Sequence, residues 1–299
     1  MMLSNVLKHW IIDIGKILLL TVTLFAGLIL SRLILYRLDF MPPRIPNQAS
    51  ESIAVYYLLS GSFLLSLGLF PLVRRIHGSI LNRAGIIFLF FFTCFSVSVT
   101  IESSIYSSVQ GYHLMIVTLI FPILLFSVIS AVVSQTVKYH KKKPDIPSFF
   151  KSRPLIQWIW RSLLAIISFP IVYFLLGIIV SPFVADYYKD TIPGLVLPEP
   201  GLIILVQLVR STLFLIVTLP VIIFWGGNMK ECIIFLGLAH FVMVFLYDIL
   251  MALEMPVQLI IIHGFEILFD SFIYAWIFVT LMFPKHFLKR HPNNTGRMN

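Results

Sequence analysis

Residues 257–283 read VQLIIIHGFEILFDSFIYAWIFVTLMF. At 1.5 Å per residue this run is long enough to cross a hydrocarbon core of about 30 Å. It nevertheless carries His263, Glu266 and Asp270, which recur at i, i+3 and i+7 and so share one face of a helix. Each ionisable residue in a membrane costs roughly 2.5–3.5 kcal/mol even on the lenient insertion scale. Such a set is kept only when its members face protein or water. The same pattern recurs upstream: Arg210 lies within the apolar stretch 202–225, and His240 and Asp248 lie within 232–253.

Composition supports a membrane reading throughout. Of 299 residues, 59% are hydrophobic and 12% are charged, against about 25% charged in ordinary soluble domains. The mean hydropathy is +0.97. Eight apolar runs qualify as spans, at 17–36, 54–73, 84–103, 113–134, 158–181, 201–225, 231–253 and 257–283. The expected fold is an all-α, polytopic integral membrane protein of about eight transmembrane helices. Five residues, 226–230, join the sixth and seventh spans, so these two are expected to be antiparallel neighbours. The first span is too long for a signal-peptide core and is read as retained.

Lys and Arg in short loops orient the chain. Loop 74–83 carries Arg74, Arg75 and Arg83 with no acid; loop 135–157 carries six cations against Asp145; the tail after 283 carries Lys285, Lys289, Arg290 and Arg297 with no acid. The alternate loops are neutral or acidic. The expectation is a cell-membrane protein with both termini cytoplasmic. The net charge of +9 then belongs to a surface that meets anionic headgroups, at about 1 kcal/mol per Lys or Arg, and not to a nucleic-acid site. The partners expected are the lipid bilayer, anionic headgroups at the cytoplasmic face, and a membrane protein bound through the N-terminal block.

Three sections follow: a four-helix scaffold at 1–134, a basic cytoplasmic linker at 135–157, and a four-helix block at 158–299 that holds the deep charges. One dipeptide echo, Arg161-Ser162 in the fifth span and Arg210-Ser211 in the sixth, is too short to establish a repeat. Counting from the outer ends of their spans, Arg210 and Glu266 lie at the same depth, roughly 13 Å. An ion pair between them is the first contact expected, with Gln207 and Ser211 completing its hydrogen bonds.

Together Arg210, His240, Asp248, His263, Glu266 and Asp270 are read as one polar column on the last three helices, a ligand or proton path. Di-metal carboxylate bundles need a second Glu-x-x-His element that this sequence lacks. HExxH, Gly-x-Ser-x-Gly and P-loop patterns are also absent. No metal, cofactor or nucleotide is expected, and Cys94 and Cys232 read as small core side chains. Three functions remain open: a proton- or ion-coupled carrier of a small or lipid-like solute, an intramembrane lipid-modifying enzyme using Glu266 or Asp270 as base, and a non-catalytic membrane subunit or sensor with a structural Arg–Glu pair. The sequence resembles no family on its motifs.

Overall fold

The computed structural model describes residues 2–37, 51–106, 145–188, 196–250 and 257–284. Among them are eight helices: α1 (Met2–Arg37), α2 (Glu51–Arg75), α3 (Ile80–Tyr106, with a π turn at Phe92–Val97), α4 (Ile146–Lys151), α5 (Leu155–Val184), α6 (Pro200–Ile223), α7 (Met229–Leu250) and α8 (Val257–Met282). Six of these, α1, α2, α3, α5, α6 and α8, are long and apolar enough to cross a membrane. By length and composition the chain is a multi-pass membrane protein. The expected fourth span, 113–134, lies outside the described residues.

Helix is the only open structure that satisfies every backbone group without water, and the apolar runs adopt it. Local polar residues start the segments. Ser79 Oγ accepts the Asn82 N–H ahead of α3, Asp145 accepts the Ser148 N–H ahead of α4, and Asn228 Oδ1 accepts the Glu231 N–H at the start of α7. Each is an N-cap of the preferred residue type. Pro71, Pro170, Pro182 and Pro220 lie inside α2, α5 and α6, where each removes one ladder hydrogen bond.

The α7 helix packs between α2 and α8; α5 lies against both α8 and α6; α1 lies on α2, and α3 on α6. Close approach between helices replaces the hydrophobic drive that lipid does not supply, and small residues permit it. At Gly68 of α2 an added Cβ would come within 2.9 Å of Val242 on α7. Gly237 of α7 faces the Phe272 ring of α8, and Gly264 of α8 faces the Phe245 ring of α7. Outward positions on α5, such as Leu175, Ile178 and Ile179, are exposed, as acyl-chain contact requires.

Contacts at the helix ends collect on one face. Arg74 pairs with Asp13 at 2.7 Å and Arg75 with Glu231 at 3.0 Å. The α2–α3 and α6–α7 turns meet in an antiparallel bridge, Ile76 opposite Trp225. Its hydrogen bonds run from His77 N–H to Phe224 O (2.8 Å) and from Gly226 N–H to Arg75 O (2.7 Å). Arg153 and Arg161, flanking the start of α5, donate to the carbonyls of Leu281, Met282 and Phe283 at the end of α8. These are the last carbonyls of that helix, which basic side chains favour. Burial first, and then the neighbouring Arg161, lower the Arg153 guanidinium from its ordinary range. This end is the basic face. At the other end Val196 N–H donates to Tyr106 O at 2.9 Å, tying the end of α3 to the approach to α6.

Two boundaries differ from the sequence expectation. The first helix begins well before residue 17, and its apolar window is Trp10–Gly27. Arg83, expected in a basic loop, sits in the first turn of α3 with 1% exposure and donates to Val73 O. The Ser79 cap starts the helix four residues earlier than hydropathy alone suggests.

Candidate functional site

Arg210 lies on the face of α6 that meets α3, and only 3% of it is exposed. Its guanidinium is engaged on three sides. Nη1 lies 2.5 Å from Glu102 Oε1 and 2.9 Å from Gln207 Oε1, and Nε donates to Ser98 Oγ at 2.8 Å. The rings of Phe169 and Phe214 stand 5.8 Å from the guanidinium carbon. A charge taken out of water must be paired and hydrogen-bonded, and this one is.

The carboxylate placed against Arg210 is therefore Glu102 of α3. The expectation pairs Arg210 with Glu266; the structure pairs it with Glu102, so a helix of the first half of the chain also contributes to the cluster. The π turn explains the geometry. At its end the Ser98 N–H bonds to Thr93 O, five residues back. That extra residue resets the helix face, so Ser98 and Glu102, four apart, both look toward α6. Gln207 completes the set as expected. Ser211 does not: its hydroxyl donates to Ala165 O at 3.4 Å.

The residues of α8 gather beside this pair. His263 Nε2 lies 3.8 Å from Glu266 Oε2. The Glu266 carboxylate reaches across to α5, where Oε1 lies 3.9 Å from the Cβ that any larger residue would carry at Gly177. Glu266, Arg210, Glu102 and His263 all stand within electrostatic reach of the Asp270 carboxylate. One turn before Gly177, Tyr173 shares a 2.9 Å hydrogen bond with Tyr106 of α3, and both phenols sense Glu102 and Arg210. Four helices, α3, α5, α6 and α8, thus contribute to one polar cluster holding three carboxylates, one arginine and one histidine.

Two buried atoms of the cluster have no hydrogen-bond partner among the described residues: Gln207 Nε2 and Asp270 Oδ1. One is a donor and the other an acceptor. Buried groups of this kind are ordinarily satisfied.

One member of the expected column stands apart. His240 is buried in an aromatic cage, its ring 5.1 Å from Phe90, 5.5 Å from Phe214 and 6.0 Å from Tyr274. Its Nε2 lies 4.0 Å from Cys94 Sγ. Phe214 separates it from Arg210 by contacting both. Asp248 belongs to the last turns of α7, among positions whose side chains are not described. Among the described residues no three His, Cys, Asp or Glu side chains converge as a metal site needs.

Glu102, Ser98, Tyr106 and Tyr173 were missed from sequence. Glu102 is the sole acid in the run 84–103, and that isolation was the available signal. Its position near the end of the run hid it. No protein-family model, curated protein or solved structure matches the chain.

Proposed function

We propose that the chain is a proton- or ion-coupled carrier of a small or lipid-like solute, working through the α3–α5–α6–α8 cluster. The observation that carries this reading is the charge imbalance at the site. Glu102, Glu266 and Asp270 stand against Arg210 and a histidine within helices apolar enough to cross a membrane. Three carboxylates gathered in that medium are costly to hold charged. The site is stable when it holds protons or another cation, and a solute that changes the charge balance moves them. In this scheme Arg210, Glu102, Ser98 and Gln207 form the fixed part. His263, nearer the start of α8, and Glu266 and Asp270, deeper along it, form the exchanging part. Asp248 is proposed to lie along the same path, and His240, stacked among Phe90, Phe214 and Tyr274, to brace its wall.

The basic face is proposed to be cytoplasmic, in a cell membrane with both termini on that side and anionic headgroups against it. Arg74, Arg75, Lys151, Arg153 and Lys230 at that end support the assignment through the bias of Lys and Arg toward the cytoplasm. A membrane-protein partner for the N-terminal block stays a proposal resting on its composition.

The test is proton movement in proteoliposomes with a trapped pH dye, screened against a panel of amines, amino acids and lipid headgroup analogues. A solute that drives proton entry in the wild-type protein is expected to lose that effect in Asp270→Asn and in Glu266→Gln. Equal responses in wild type and both variants, or no response above protein-free vesicles to any solute, would remove the carrier. A second reading, a non-catalytic subunit whose cluster only fastens helices, draws on the three-sided satisfaction of Arg210. It predicts normal function after Arg210→Met with Glu102→Leu.

A further inference from the structure

The α2–α3 and α6–α7 turns correspond under one shift, although Gly78 takes a positive φ and Gly227 does not. A shift of 149 carries Pro71 onto Pro220, Gly78 onto Gly227, and the N-cap Ser79 onto the N-cap Asn228. The same shift carries the start of α2, Glu51, onto the start of α6, Pro200, and the start of α3, Ile80, onto the start of α7, Met229. It lays α5 over α1. Taken backward from α8 it reaches the stretch whose sequence reads as the fourth span. The packing repeats as well: α1 lies on α2 as α5 lies on α6, and α2 lies on α7 as α6 lies on α3.

The bridge between the turns has the symmetry this implies. Ile76 faces its counterpart Trp225, His77 donates to Phe224 as Gly226 donates to Arg75, and these pairs exchange under the shift. An approximate two-fold axis therefore runs through the bridge, along the membrane normal. Helices α1–α3 and α5–α7 keep the same orientation, so the repeat is parallel, a known arrangement in carriers.

The equivalent interfaces differ sharply in chemistry. On α6, against α3, stand Gln207 and Arg210. The matching positions on α2, against α7, are Leu58 and Gly61, with Gly68 in close contact with Val242 nearby. At these positions one seam is charged and the other is not, although Ser62 and Ser66 are buried on α2 beside Leu58 and Gly61. Between the polar cluster and the basic face lie the apolar packing around Thr218 and Val221 and then the bridge, reinforced by Arg75–Glu231.

We infer that the chain is two copies of one four-helix unit, and that the bridge where their turns meet is the gate closing the polar seam toward the basic face. The gate's use rests on the carrier reading; its opening does not. A side chain at Gly226 would meet the His77 imidazole and must displace that ring from the bridge.

The experiment reads opening without any solute. Thr218, fully buried and roughly midway between Arg210 and Trp225, is replaced by Cys in a Cys94→Ala, Cys232→Ala background. Labelling by a membrane-impermeant thiosulfonate is followed in sealed vesicles with the basic face outward. Ile76→Cys with Trp225→Cys places two thiols across a non-hydrogen-bonded antiparallel pair, where Cα atoms lie about 4.5 Å apart, within disulfide reach. Labelling at position 218, resolved by peptide mapping from that of the thiols at 76 and 225, follows the population of the open form, so oxidation of that pair is expected to slow it roughly tenfold and reduction to restore it. Gly226→Val is expected to speed it. Failure of the disulfide to form, equal labelling in locked and unlocked protein, or no labelling in any form would overturn the gate. Gated labelling without solute-driven proton flux would instead reject the carrier and leave the gate standing.

Discussion

Replacing Glu102 by Gln removes the carboxylate from a guanidinium that is 3% exposed. Breaking a buried pair by deleting one partner costs about 3–5 kcal/mol, because the surviving charge is left uncompensated. Glu102 is itself a quarter exposed, and Ser98 and Gln207 still accept from Arg210, so the loss falls at the low end, about 3 kcal/mol. At about 2–4 °C per kcal/mol the unfolding midpoint drops by roughly 6–12 °C. The double variant Arg210→Met, Glu102→Leu removes both charges and recovers most of that loss, since an apolar replacement of a whole pair is close to neutral. Cys94 and Cys232, both buried, make the assay direct: a fluorogenic maleimide reports unfolding on heating in detergent. A Glu102→Gln protein as stable as wild type, or a double variant no better than the single, would refute the assignment of Glu102 as the partner of Arg210.

Three further outcomes are expected. Gly68→Val forces α2 away from α7, where even a Cβ meets Val242 at 2.9 Å, and should cost about 1–3 kcal/mol in the same thermal assay. Ser79→Ala and Asn228→Ala should each cost about 1 kcal/mol as lost caps, whereas Ser79→Asn and Asn228→Ser, which exchange the two copies' caps, should unfold at the wild-type temperature. Arg153→Met together with Arg161→Met strips the donors from Leu281, Met282 and Phe283 and weakens the end of α8 by about 1–3 kcal/mol; faster hydrogen exchange confined to its last turns is the measurement.

Most of the helices were legible because lipid imposes a length and an apolar composition that hydropathy reads directly. The interior of the cluster was only half legible. His263, Glu266 and Asp270 stand out since a helix of known pitch puts them on one face, and Arg210 stands out by its cost. Which carboxylate reaches Arg210 depends on how α3 is turned, and the π turn at Phe92–Val97 sets that; no periodicity rule anticipates an inserted residue. His240 was drawn into the column by depth alone, while its direction, toward Phe90 and Tyr274, comes from the packing of α7. The internal repeat was present in sequence as Pro71, Gly78 and Ser79 against Pro220, Gly227 and Asn228. The dipeptides Arg161-Ser162 and Arg210-Ser211 lie on α5 and α6, helices that are not counterparts.

The contrast between Gly61 and Arg210 has a consequence for how such a molecule arises. In a homodimer of the four-helix unit, any residue set at that point appears twice, so an arginine would burden both seams with a charge and its retinue of partners. Joining the two units in one polypeptide lifts that obligation. In the joined chain one seam holds Leu58 and Gly61 where the other holds Gln207 and Arg210, a division of labour that identical subunits are barred from adopting.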